Sequence, residues 1–122
     1  MEKVVLNQTL VVLDLEPLTA AFGEWGDGAR DMLEFFLQSV RPLLDGVAAA
    51  LNAGDARQVI ENAHAAKGSA NVTGANRLGD LCGRVERSMV SGDFEATGAL
   101  ARHLPAALAE LEAEIARMKA DA

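Results

Sequence analysis

His64 is followed by Lys67 three residues on and by Gly68 four residues on. On a helix, at about 100° per residue, Gly68 and Asn71 fall within about 40° of His64, and Lys67 within about 60°. Val59, Ala63, Ala66 and Ala70 gather on the opposite side, roughly 200 to 260° away, as an apolar stripe. The stripe is the side to be buried, so the imidazole faces outward. An imidazole offers a neutral nitrogen nucleophile near neutral pH. A lysine beside it favours an arriving anion, and a phosphoryl group suits that requirement. Glycine in a helix interior costs about 1 kcal/mol against alanine. Close approach by another molecule is a sufficient reason to accept it.

A second helix must complete the site. The chain turns near residue 75, with His64 eleven residues before it and Glu86 eleven after. In an antiparallel hairpin the two stand at one level. Glu86 also flanks the stripe of Leu78, Leu81, Cys82, Val85 and Met89, which places it near the seam between the helices. A carboxylate there accepts a hydrogen bond from Nδ1–H of His64, fixing the tautomer and leaving Nε2 with its lone pair outward. His103 has no lysine or glycine at these spacings and reads as structural. His64, Glu61 and Glu86 make a poor metal set, and no metal site is expected.

The breakers divide the rest of the chain. GEWGDG (23–28) reads as a turn, NAGD (52–55) as a glycine stop followed by the N-cap Asp55, and SGD (91–93) repeats that pattern with Gly92 and Asp93. Four long helices are predicted, over about 28–52, 56–73, 76–91 and 94–119, with bends at Pro42 and Pro105. The first carries Leu33, Phe36, Val40, Leu43, Leu44, Val47 and Leu51 at helical spacing; the last carries Leu100, Leu104, Leu108, Leu111, Ile115 and Met118. A short helix is predicted over 16–22. Short connections make neighbours antiparallel, so the expected fold is all-α, an up-down-up-down four-helix bundle with a short additional N-terminal helix. Residues 1–13 fit an extended, a helical or a partly disordered extension equally, and 14–122 read as the bundle domain.

Bulk composition narrows the function. The 122 residues suit one domain, and half of them are hydrophobic. A net charge of −7, with no basic stripe, argues against nucleic acid. No run approaches the roughly 20 apolar residues that span a bilayer, and the start lacks an export signal. The single cysteine, Cys82, lies in an apolar pattern and reads as core. The expectation is a cytoplasmic monomer with no membrane partner.

HAAKGSANVTGA resembles the signature of the histidine-containing phosphotransfer (HPt) domains of phosphorelays, in which a histidine is followed by lysine at +3, glycine at +4, a small residue at +5 and glycine at +10. Here these are His64, Lys67, Gly68, Ser69 and Gly74. RLGDLCGRVE resembles the family's next helix and SVRPLLDGVAAALNAGD the preceding one, so the likeness runs over roughly 14–118. It implies a phosphate carrier. His64 accepts a phosphoryl group from a receiver-domain aspartate and passes it to another. Lys67 offsets its charge, Glu86 orients the ring, and Gly68 and Ser69 admit the partner; Asn71, a position that varies in the family, reads as a partner contact at the edge of the site. The partners implied are receiver domains of response regulators or hybrid histidine kinases. Mg²⁺ belongs to the receiver, and no cofactor is expected on this chain. The chain is then a carrier rather than an autonomous enzyme. Two positions depart from the pattern: Ala66 stands where leucine is usual, and Thr73 where an apolar residue is usual. The alternative is a helical adaptor that binds a receiver or other protein without phosphotransfer.

Overall fold

The computed structural model describes residues 10–120. Every regular element among them is helical: α1 (Glu16–Phe22), α2 (Asp27–Ala53), α3 (Ala56–Thr73), α4 (Asn76–Val90), α5 (Phe94–Ala101) and α6 (Leu104–Ala120).

The caps are those the breakers announce. Asp55 accepts the amide of Gln58 at 3.1 Å to start α3, and Asp93 accepts that of Ala96 at 2.9 Å to start α5. Gly23, Gly54 and Gly74 end α1, α2 and α3 in the left-handed conformation. The turn after α1 is shorter than GEWGDG, because Asp27 and Gly28 already belong to α2. α2 runs uninterrupted through Pro42.

One predicted helix is two. The stretch 94–119 breaks at Arg102 and His103, ahead of Pro105 rather than at it. Pro105 has no N–H to donate to a carbonyl one turn back, so a continuous helix would lose that bond. The chain instead closes α5 with Arg102 N–H on Gly98 O and His103 N–H on Leu100 O. It opens α6 with Ala107 N–H on His103 O. Proline is well tolerated in such a first turn.

The core follows the sequence stripes. Leu33, Phe36, Val40, Leu44 and Val47 of α2 are buried against Val59, Ala63, Ala66 and Ala70 of α3, the stripe of α4, and Leu104, Leu111 and Ile115 of α6. Full burial of a side chain such as Phe36 is worth about 1.5–3 kcal/mol. Leu43, Leu51, Leu100 and Leu108 pack only partly buried at its edge. Thr73 is buried too, and its hydroxyl donates to Ser69 O at 2.9 Å, which satisfies the polar atom there. Arg41 of α2 pairs with Glu112 of α6, and Glu34 of α2 with Lys119 of α6.

Of the stretch 1–13, for which the sequence favours no single conformation, residues 1–9 lie outside the described residues. Residues 10–15 are not helical and form a strap across the α3–α4 turn. Asp14 N–H donates to Gly74 O at 2.8 Å, and Arg77 Nε–H to Leu10 O at 2.6 Å. Val12, Leu13 and Leu15 pack on the core from this strap. Among the described residues no helix is long and apolar enough to cross a membrane.

Cys82 is 1% exposed, and burial pushes its thiol from about 9.0 up to about 12. Since the thiolate is the reactive species, iodoacetamide at neutral pH should leave the native protein unlabelled and label it fully in denaturant. Rapid native labelling, read by mass spectrometry, would contradict this packing. The neutral thiol is favoured by the fold, so its contribution to stability is complete below about pH 9.0 and is lost as pH rises towards 12.

Candidate functional site

α3 lies between α2 and α4, and its small stripe residues let both neighbours come close. The facing pairs across α3 and α4 run in opposite directions: His64 meets Glu86, Lys67 lies over Gly83, and Asn71 over Gly79. The two helices are therefore antiparallel, and the equal distances of His64 and Glu86 from the turn do bring them together.

Three side chains form one hydrogen-bonded chain. His64 Nδ1 lies 2.8 Å from Glu86 Oε2, and Lys67 Nζ lies 2.8 Å from Glu86 Oε1. The Glu86 side chain is only 16% exposed, that of Lys67 31%, and that of His64 67%. The Lys67 hydrogen bond holds the Glu86 carboxyl below its usual range; burial opposes this, and the His64 hydrogen bond adds to it. Glu86 is therefore ionised at neutral pH and can only accept. Nδ1 must then carry the proton in the neutral ring, which puts the lone pair on Nε2. Nε2 has no hydrogen-bond partner among the described residues.

Lys67 is thus placed differently from a free cation awaiting an anion. Its ammonium is bound to the carboxylate that orients the ring, and it reaches the ring through Glu86. Helical spacing predicts the face that Lys67 occupies but not this partner.

Gly68 is exposed one turn beyond His64, and a side chain built on it would meet nothing within 4 Å. Packing within the chain therefore gives no reason for this glycine. Ser69 is half-buried on the flank of α3, where its carbonyl accepts the Thr73 hydroxyl. Asn71 is exposed, and its Oδ1 rests where a side chain of Gly79 would stand. Glu61 is occupied by Arg57 and Gln58, apart from the His64 network. Among the described residues no group of three or more His, Cys, Asp or Glu could hold a metal ion. His103 is half-buried at the α5–α6 junction.

Two features escaped the sequence reading. Gly79 and Gly83 seat side chains of α3, and their spacing of four was the available signal. Large apolar side chains also stand exposed on the flanks of α2 and α3: Phe35 at 63%, Met32 at 40% and Val72 at 77%. Asn62 of α3 lies over Gly46 of α2. Counting in opposite directions from that pair puts Phe35 beside the end of α3 that carries Val72.

Residues 31–119 match the Hpt domain family. The fold is similar to the crystal structure of histidine-containing phosphotransfer protein B (HptB) from Pseudomonas aeruginosa PAO1, with a TM-score of 0.81 and 25% sequence identity over 91% of this chain and 96% of that one. Among curated proteins none matches the sequence significantly.

Proposed function

Since the chain belongs to the Hpt domain family, we propose that it is a phosphorelay intermediate whose phosphoacceptor is His64. The observation that carries this reading is the exposed ring whose Nδ1 is tied to an ionised Glu86 while Nε2 has no partner among the described residues. The Nε2 lone pair attacks the phosphorus of a receiver's aspartyl phosphate. The P–O bond to the aspartate breaks, and the carboxylate leaves with its electron pair. Nδ1 keeps its proton, so the phosphorylated ring carries positive charge, which the Glu86 carboxylate faces at hydrogen-bond distance. A second receiver's aspartate reverses these steps and takes the phosphoryl group onward. Lys67 keeps Glu86 ionised and oriented, and Mg²⁺ is supplied by the receiver. The chain needs no cofactor of its own.

The receiver docks over α3 and the neighbouring flank of α2. Gly68 leaves the ring accessible, while Phe35, Met32 and Val72 provide apolar contact and Asn71 and Ser69 lie at the edge. The domain is a cytoplasmic monomer over residues 14–122, with α2, α3, α4 and α6 as the four members of an up-down-up-down bundle. Incubation with a phosphorylated receiver domain tests the reading. It should give an acid-labile, base-stable phosphate on this chain. Stable binding without transfer would make the protein an adaptor instead.

A Gly68→Gln substitution separates docking from folding. The side chain enters open space, and glutamine is the better helix former by up to about 1 kcal/mol. Helix content should be unchanged and thermal stability equal or slightly higher. Receiver affinity should fall at least about tenfold, or about 1.4 kcal/mol. Titration calorimetry against a receiver checks this, and unaltered affinity would remove the role given to the glycine.

A further inference from the structure

Gly83 is buried in the interior of α4 and is not in the left-handed conformation. Glycine weakens a helix there relative to alanine, and the backbone gives no reason for it. The reason lies across the interface with α3. A methyl group on Gly83 would stand 3.2 Å from Cδ of Lys67 and 3.9 Å from its Cγ, and 3.2 Å from a terminal guanidinium nitrogen of Arg87. The Lys67 stem cannot swing aside freely, because its far end is held 2.8 Å from Glu86 Oε1. The same device recurs at the other margins of α3. A methyl on Gly46 of α2 would stand 2.6 Å from Asn62 Nδ2, and one on Gly79 would collide with Asn71. With Ala63, Ala66 and Ala70 drawing the helices together, Lys67, Asn62 and Asn71 at the edges of α3 each lie over a neighbour that has no side chain.

We propose that Gly83 is a positioning residue of the phosphotransfer centre. It is the bare seat across which Lys67 runs to hold Glu86, and through Glu86 the Nδ1–H of His64. Its effect on transfer rests on the function proposed above; its effect on the imidazole does not. A residue that merely allowed close packing of α3 and α4 would alter stability without acting through Lys67.

The test uses Gly83→Leu and Gly83→Ala, each made with Lys67 intact and again in a Lys67→Ala background. Two quantities are read: the His64 ring tautomer from ¹⁵N NMR at alkaline pH, and the rate of phosphoryl transfer from a phosphorylated receiver. With Lys67 intact, Gly83→Leu should shift the ring from the Nδ1–H form to a mixture and slow transfer about 10-fold, as losing an orienting partner does. Gly83→Ala should move both in the same direction by less, with a melting temperature no lower than wild type. With Lys67 already replaced, neither Gly83 substitution should change the ring signals or the rate further. An unchanged tautomer in folded Gly83→Leu overturns the proposal, as does an equal shift in the Lys67→Ala background. If Gly83→Leu does not fold, an unchanged ring in Gly83→Ala overturns it as well. Absence of transfer in the wild type would reject the phosphorelay reading, while the ring signals would still decide the role of Gly83.

Discussion

His64→Gln should abolish phosphoryl transfer, by at least about 1,000-fold, while leaving the fold intact. A glutamine amide nitrogen has no available lone pair with which to attack phosphorus. It does keep an N–H that can reach Glu86, so the carboxylate is not abandoned. The wild-type ring is 67% exposed, so its removal empties no cavity, and the stability change should stay within about 1 kcal/mol. Helical signal and melting temperature should therefore match the wild type while receiver-driven labelling vanishes. His103→Gln is the control. That side chain is half-buried at the junction of α5 and α6, remote in sequence from the network, and its backbone bonds to Leu100 and Ala107 survive the change. It should transfer at the wild-type rate. Labelling that persists in His64→Gln, or that disappears in His103→Gln, would move the phosphoacceptor away from His64.

Periodicity carried most of the architecture, because a helix that buries one face writes that face into its spacing. Val59, Ala63, Ala66 and Ala70 announced which side of α3 is covered, and all four are 1% exposed or less. The caps were equally legible, since Asp55 and Asp93 act locally on amides of their own helices. The break before Pro105 was not. A proline inside an apolar pattern signals a bend without saying where the chain chooses to open, and here the opening falls two residues earlier, where His103 can accept the first bond of α6.

The site was readable to the extent that it depends on distance along the chain. His64 and Glu86 could be matched by counting from the turn, because a tight antiparallel hairpin conserves that count. The destination of Lys67 could not be obtained this way. Its helical angle gives a face about 60° wide of His64, and the course of the stem past Gly83 to Glu86 is a contact between helices that the angle does not contain. The strap was illegible for a different reason. Residues 10–15 have no period of their own, and they are held by backbone bonds and by packing on elements some 60 residues away in sequence.

That strap makes Gly74 a sensitive point in the fold, and Gly74→Ala should show it. Gly74 has φ 94°, a conformation that costs an L-residue about 1–2 kcal/mol. Strain alone, however, would make it equivalent to Gly54, which ends α2 at φ 68° with nothing near its missing side chain. At Gly74 the missing side chain points at the carbonyl of Asp14, whose amide donates back to Gly74 O at 2.8 Å. A methyl group there must push the strap away, breaking that bond and loosening Leu13 and Leu15 from the core. Gly74→Ala should therefore lose at least about 3 kcal/mol in urea unfolding, against about 1 kcal/mol for Gly54→Ala. The turn also sets the count that brings His64 level with Glu86. A turn that opens by one residue would rotate α4 by about 100° relative to α3 and separate the pair. Folded Gly74→Ala should consequently show a weakened His64–Glu86 bond, visible in the ring ¹⁵N signals, whereas Gly54→Ala should not. Equal losses of stability in the two variants would mean that the strap contributes nothing to the turn.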